Sequence, residues 1–240
     1  LPLHHPAKLH KILKRIFRPF KISGSEIAAA QRKAEAAREE YKMQLYLETQ
    51  RILQEIEEKK LIGIVLAGRP YHADPAINHS IPDLINQLGM AVLSEDGIAM
   101  MQDSKFPPLR VLNQWTWHSR LYRSADYVTR HADLELVELN SFGCGLDAVV
   151  TDQVQEIMSK RNRLYTSLKI DQSMNLGAVR IRLRSLMAAL KRRKPAPYQD
   201  IVFPDRPHFT EDCKKTHTIL APQMAPIHFE LFQTVLEKYG

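Results

Sequence analysis

Along the chain the apolar positions change their period several times, and each change marks an element. From Ser25 to Lys60 there is no Gly or Pro, Ala and Glu dominate, and the run is long enough for about nine helical turns. Ser23 or Ser25 can cap its start, with Glu26 in the first turn, where free N–H groups favour negative charge. Its apolar side (Leu45, Leu47, Ile52, Leu53, Ile56) belongs to the second half only. The first half, Ala28 to Glu40, is polar enough to face solvent or to pack on another molecule. At Leu61 the pattern switches. Leu61 to Ala67 is an apolar run of strand length, which predicts a strand buried on both faces.

The same unit then recurs. A loop from Gly68 to His72 leads to a helix around Ile81 to Leu88 that Gly89 stops. Met90 to Leu93 reads as a second strand, and Leu109 to Ala125 as a helix carrying Trp115, Trp117 and Tyr122, its aromatic residues taken as core. Leu134 to Leu139 is a third strand with its helix at Asp147 to Lys160. Leu164 to Ile170 is a fourth, with its helix at Leu176 to Arg193. Strands alternating with helices predict right-handed βαβ units and a mostly parallel sheet, an α/β fold of flavodoxin-like (Rossmann-like) type. The chain divides into a basic segment and long helix at 1–60, the α/β domain at 61–194 and a Pro-rich linker at 195–215. A final βα unit at 216–240 has a strand at Thr216 to Leu220 and a helix at Pro226 to Tyr239. One βα unit cannot close a sheet, so it reads as the start of a further domain. The first residue, Leu1, is not Met, which fits an excised or processed segment.

Composition narrows the classes. No apolar run approaches the roughly 18 residues that span a bilayer, and the N-terminus lacks the apolar centre of a secretory signal. Two distant cysteines make no disulfide framework, so the chain reads as cytoplasmic. The net charge of +7 is local. Lys8 to Lys21 holds seven basic residues, counting His10, and no acidic one; Arg180 to Lys194 holds seven more. Because these fall on separate helices rather than in one motif, nucleic acid is the least favoured partner. A phosphate-rich ligand such as a nucleotide or coenzyme A is an intermediate option.

Candidate chemistry concentrates in two loops. Ligands of open α/β sheets bind beyond the carboxyl ends of strands, at the point where strand order reverses. In a flavodoxin-like order the first and third strands are neighbours. Arg69, Tyr71 and His72, after the first, would then face Ser141, Gly143, Cys144 and Gly145, after the third, across one crevice. Cys144 lies between two glycines where strand gives way to helix, a setting that favours a thiolate. It reads as a nucleophile needing a histidine base (His72, His79 or His118), as a metal ligand, or as a small apolar residue packed between strand and helix. Alone it cannot hold zinc or an iron–sulfur cluster, which take three or four ligands. Arg69 suits phosphate or carboxylate, with an ion pair as the simpler use. His72 and His79 fit loop-closing hydrogen bonds better than metal ligation. Cys213 sits on a polar stretch and reads as incidental.

Several strings carry more than spacing does. They are Gly68 to Pro75 (GRPYHADP) with Ile77 to His79, Val111 to Arg120 (VLNQWTWHSR), Asn140 to Asp147 (NSFGCGLD), Leu176 to Leu186 (LGAVRIRLRSL) and Thr216 to Phe229 (THTILAPQMAPIHF). Together they resemble the CoA-substrate-specific enzyme activases, also described as acyl-CoA dehydratase activase-related proteins. The resemblance runs from about Gly63 to the C-terminus, with the first sixty residues only loosely similar. It implies the region of that family similar to 2-hydroxyacyl-CoA dehydratase subunits. These have flavodoxin-like domains and an iron–sulfur cluster of [4Fe–4S] type, fed with low-potential electrons by an activator-type ATPase module. The resemblance makes Cys144 the cysteine directed toward the cluster and leaves its other ligands outside this chain. It also implies an acyl-CoA substrate; a dimer is open. The alternative is a non-catalytic α/β scaffold that docks an ATPase partner through the long N-terminal helix.

Overall fold

The computed structural model describes residues 5–101, 106–141, 145–171, 175–193, 210–218 and 225–239. Two compact units divide the chain, Leu1–Val202 and Phe203–Gly240.

The first unit is built on a four-stranded, all-parallel sheet: β1 (Gly63–Ala67), β2 (Ala91–Ser94), β3 (Leu134–Ser141) and β4 (Thr166–Ile170), in the order β2-β1-β3-β4. This is the expected α/β, Rossmann-like class, with β1 and β3 adjacent at the reversal of strand order. Alternation along the strands sends Ile64, Val137, Leu139, Leu168 and Ile170 to one face. There they form a core with α4 (Ile81–Gln87) and α8 (Leu176–Arg192) through Ile81, Leu84, Ile85, Val179, Leu183 and Leu186. The other face carries α5 (Glu95–Met101), α6 (Thr116–Arg130) and α7 (Gly145–Lys160). Gly89 ends the turn after α4 with φ +80°, a conformation that side-chain-bearing residues avoid.

Every residue of β3 from Leu134 to Asn140 is buried, and two of them are carboxylates. Glu135 is paired by Arg163 at 3.1 Å and by Arg193, so its charge is balanced at the amino end of the strand. Glu138 instead accepts hydrogen bonds from Tyr165 Oη (2.8 Å) and Thr151 Oγ1 (3.0 Å), with no cation against it. Burial therefore dominates and pushes its carboxyl up to about 7, against the pull of those two donors and helped by the nearby charge of Asp147.

An N-terminal helical hairpin precedes the sheet. Pro6 sits at the first position of α1 (Pro6–Ile16), where its missing N–H costs nothing. A 3-10 turn at Arg18–Phe20 and Lys21 in the left-handed region (φ 55°) reverse the chain into α2 (Gly24–Lys59). A reciprocal pair of hydrogen bonds caps α2: Glu26 N–H donates to Ser23 Oγ (3.2 Å) and Ser23 N–H to Glu26 Oε2 (2.8 Å). The second half of α2 packs on α5 and β2 through Thr49 and Ile56, and its first half packs on α1.

In places the elements depart from expectation. α1 and α5 were not expected as helices. α5 begins directly after β2 and contains Gly97, whose missing Cβ makes room for the Thr49 hydroxyl. The helix expected at Leu109 starts only at Thr116: the Arg110 and Val111 N–H groups donate to Gln153 Oε1 (2.8 and 3.3 Å), and Trp115 is extended (φ −119°, ψ 131°). Trp115 is also substantially exposed rather than core, whereas Tyr122 is buried.

In the second unit, Thr216 closes a one-turn helix, α9 (Cys213–Thr216), and 217–218 form no strand. The strand expected at Thr216–Leu220 is thus not found at its described positions; Ile219 and Leu220 lie outside them. The helix expected at Pro226–Tyr239 is present as α10 (Pro226–Tyr239).

Candidate functional site

At the carboxyl end of β1 the chain must turn sharply against β3, and Gly68 permits it. A Cβ there would stand 2.5 Å from His72 Nδ1 and 2.9 Å from the Leu139 carbonyl oxygen. The 3-10 turn Pro70–Ala73 then folds the His72 ring back beneath the loop, where it is buried. The backbone N–H of Arg69 donates to His72 Nδ1 (3.0 Å), so in the neutral ring the proton resides on Nε2, which donates to Ser141 Oγ at 3.2 Å. Burial holds the imidazole below its ordinary value; Asp147 opposes this and Arg69 adds to it, so the ring is neutral at pH 7. Tyr71 Oη lies 2.9 Å from the same Ser141 hydroxyl and packs edge-on against His72, with ring centroids 4.5 Å apart. Loop and strand end are thereby tied at one hydroxyl.

A charged tie lies alongside. Arg69 Nε and Nη2 both reach Asp147 Oδ1, each at 2.6 Å, from the loop to the first turn of α7. Both side chains are largely buried, so the pair matters more than a surface contact would. The Arg69 guanidinium also lies 5.8 Å from the Trp117 ring centroid. Trp117 packs edge-on against His118 at 5.8 Å. Burial, helped by Arg69 and opposed by Asp147, holds the His118 imidazole below its ordinary value. Among the described residues, three buried polar atoms here have no hydrogen-bond partner: Asp147 Oδ2, His118 Nε2 and Trp117 Nε1. Desolvated groups left without partners cost free energy, and they collect where a ligand completes them.

Of the residues expected at the crevice, Arg69, Tyr71, His72 and Ser141 come together directly. Gly145 begins α7 with open space around it. Gly143 and Cys144 lie outside the described residues, in the three-residue connection between Ser141 and Gly145. His79 is not part of the cluster: its ring meets the Asp171 carbonyl oxygen at 3.2 Å, with the residue in the left-handed region. Both ring nitrogens of His72 are engaged within the loop, which leaves it poorly suited as a base for a thiol. The sequence missed Asp147, which is 78 positions from Arg69, and Trp117. Asp147 lies inside the NSFGCGLD string, at a predicted strand-to-helix turn, and that placement was the available signal.

The donor set does not fit a complete iron–sulfur cluster. The chain has two cysteines, and Cys213 stands in the second unit, where the Thr210 N–H donates to its Sγ at 3.4 Å. Among the described residues no group of three or more His, Cys, Asp or Glu side chains could hold a metal ion. Nor, among them, is any helix long and apolar enough to cross a membrane.

Residues 1–98 match the family described as "CoA enzyme activase uncharacterised domain (DUF2229)". Over these residues the chain is similar to that family, which is consistent with a CoA-enzyme activase-related protein. The match takes in the helical hairpin, β1, the Gly68–Asp74 loop, α4 and β2. It therefore covers the first sixty residues, which the sequence motifs had left only loosely similar. No curated protein and no solved structure matches the chain.

Proposed function

We propose that this activase-related chain works at the crevice between β1 and β3, where Cys144 supplies one thiolate to an iron–sulfur site completed by ligands from other protein. The reaction served would be ATP-driven, low-potential electron transfer to a 2-hydroxyacyl-CoA dehydratase-type enzyme. The observation that carries the reading is the junction of β3 and α7. Ser141 and Asp147, which bracket the Cys144 connection, are the two residues to which Tyr71, His72 and Arg69 are bonded. The chain thus ties Ser141 and Asp147, on either side of that connection, through a neutral histidine and a buried ion pair. Flanks tied in this way suit a ligand that must keep its geometry through a change of charge. One thiolate is what this chain would offer, the other ligands coming from other protein.

The test is reconstitution with iron and sulfide in excess small-molecule thiol, which stands in for the missing ligands. Thiolate-to-iron charge-transfer absorbance is expected for the wild type and for Cys213→Ser, and is expected to be lost in Cys144→Ser. Equal absorbance in all three would remove Cys144 from the site. The scaffold alternative, docking of an ATPase partner through the hairpin, predicts that equal result together with retained partner binding.

A further inference from the structure

The hairpin holds a feature that the crevice does not use. α1 runs antiparallel to the start of α2: the Pro6 carbonyl accepts from Gln31 Nε2 (3.4 Å), His10 Nδ1 meets Gln31 Oε1 (2.9 Å), and Lys14 lies beside Gly24. Between the helices lies a groove of about 790 Å³, walled by Leu9 and Leu13 of α1 and by Phe17 just after it, and floored by Ile27, Ala30 and Ala34 of α2. It follows α2 from Glu26 to Arg38, about 20 Å at the rise of a helix. Two helices that leave an apolar seam of this length open are two sides of a three-helix bundle.

Charge says what closes it. The first acidic residue of the chain is Glu26, while α1 and its turn carry Lys8, Lys11, Lys14, Arg15, Arg18 and Lys21. None of these six has a carboxylate partner among the described residues. Further along α2 the cations are paired within the helix: Arg38 with Glu35, Lys42 with Glu39, Arg51 with Glu48 and Glu55, and Lys59 with Glu55. Of the acids at the groove, Glu26 is held in the cap of α2 and Glu35 by Arg38, whereas Arg32 has no such partner among the described residues. The hairpin that carries this apolar, helix-length seam thus holds an excess of positive charge, with Arg32 in the seam's own lining.

We propose that the α1–α2 groove docks an amphipathic helix with an acidic polar face, supplied by a partner protein, which completes a three-helix bundle. The partner's apolar residues, at helical spacing, fill the seam over Ala30 and Ala34. Its carboxylates meet Lys14, Arg18, Lys21 and Arg32, giving the contact a salt-sensitive association rate. The inference does not depend on Cys144 or on the crevice.

The probe is a fluorescein-labelled peptide of about 20 residues, some 30 Å as a helix, with Leu at heptad a and d positions and Glu on the polar face. The same peptide with Lys for Glu is the control, and fluorescence anisotropy with the full chain is the readout. The Glu peptide should bind saturably, about tenfold or more tighter than the Lys peptide at low salt. Ala30→Trp and Ala34→Trp fill the groove from exposed positions of α2, so they leave the hairpin folded by circular dichroism and should abolish binding. A Lys14→Glu/Arg18→Glu/Lys21→Glu variant should invert the peptide preference. Three results would overturn the proposal. They are equal binding of both peptides, binding undisturbed by Ala30→Trp, and a wild-type chain that sediments as a dimer relieved by Ala30→Trp, which would make a second copy the occupant. Preferential capture by phosphatidylserine vesicles over the Glu peptide would likewise replace the helix by a lipid surface.

Discussion

The hairpin and the crevice treat charge in opposite ways. In the crevice, Arg69 and Asp147 form a largely buried pair, His72 is held neutral, and loop and strand end are joined by residues far apart in sequence. On the hairpin, α1 leaves its cations without carboxylates among the described residues, and the ion pairs of α2 join exposed residues one turn apart. Pairs of the second kind hold little free energy in water, whereas breaking a buried pair strands a desolvated charge. The contrast separates a region held in one geometry by buried ties from a region whose charge is left open for the partner proposed above.

The sharpest way to break this contrast is through two glycines. Gly68→Ala drives a Cβ against His72 and the Leu139 carbonyl, and should cost about 3 kcal/mol of unfolding free energy in urea titration. Gly24→Ala meets nothing closer than 3.7 Å and should be neutral or stabilising by about 0.5 kcal/mol, since alanine suits a helix better. Equal costs would mean that the crevice loop is no more constrained than the hairpin.

Next comes the buried pair. Asp147→Asn leaves the Arg69 guanidinium uncompensated and should cost about 2–3 kcal/mol, with the Gly68–Asp74 loop exchanging its amide hydrogens faster. Arg38→Ala, which removes an exposed pair of the hairpin, should leave the urea midpoint unchanged.

The pH dependence has opposite signs for two buried groups near the site. Glu138 titrates at about 7 in the folded chain against an ordinary 4.5. The folded state therefore keeps that proton longer than the unfolded one, and stability falls as pH rises between those values. His72 is displaced below its ordinary 6.5, so its contribution falls as pH drops below that value. Glu138→Gln should reduce the loss between about pH 5 and 7, the buried Glu95 carboxyl, also pushed up to about 7, keeping a share of it, and should leave the acid-side loss intact, measured by urea titration at each pH. The smallest of these effects is at the hairpin's cap: Ser23→Ala should cost about 1 kcal/mol, visible as faster amide exchange in the first turn of α2.

Much of this architecture is local in the sequence, and that part was legible. Leu61–Ala67 and Leu134–Leu139 read as strands because apolar runs of that length have few other uses. The adjacency of β1 and β3, which makes the crevice, follows from the flavodoxin-like strand order that the alternation suggested. The polar content of the site is not local. Nothing near Arg69 points to Asp147, and nothing in the run Leu134–Ser141 shows that Glu135 has two arginines while Glu138 has only hydroxyl donors. α5 was hidden by Gly97, which lowers helix propensity but is needed where Thr49 packs. α1 shows Leu9, Ile12, Leu13 and Ile16 at helical spacing, yet its basic residues are the stronger signal to the eye, and the stretch read only as a basic segment.

The central claim is that the chain's chemistry resides at the β1–β3 crevice and its docking surface at the hairpin. The most direct test is iron retained per chain after reconstitution in excess thiol, compared between Cys144→Ser and Ala30→Trp. Loss of iron in Cys144→Ser with full retention in Ala30→Trp is the predicted result. Wild-type iron in Cys144→Ser would contradict it.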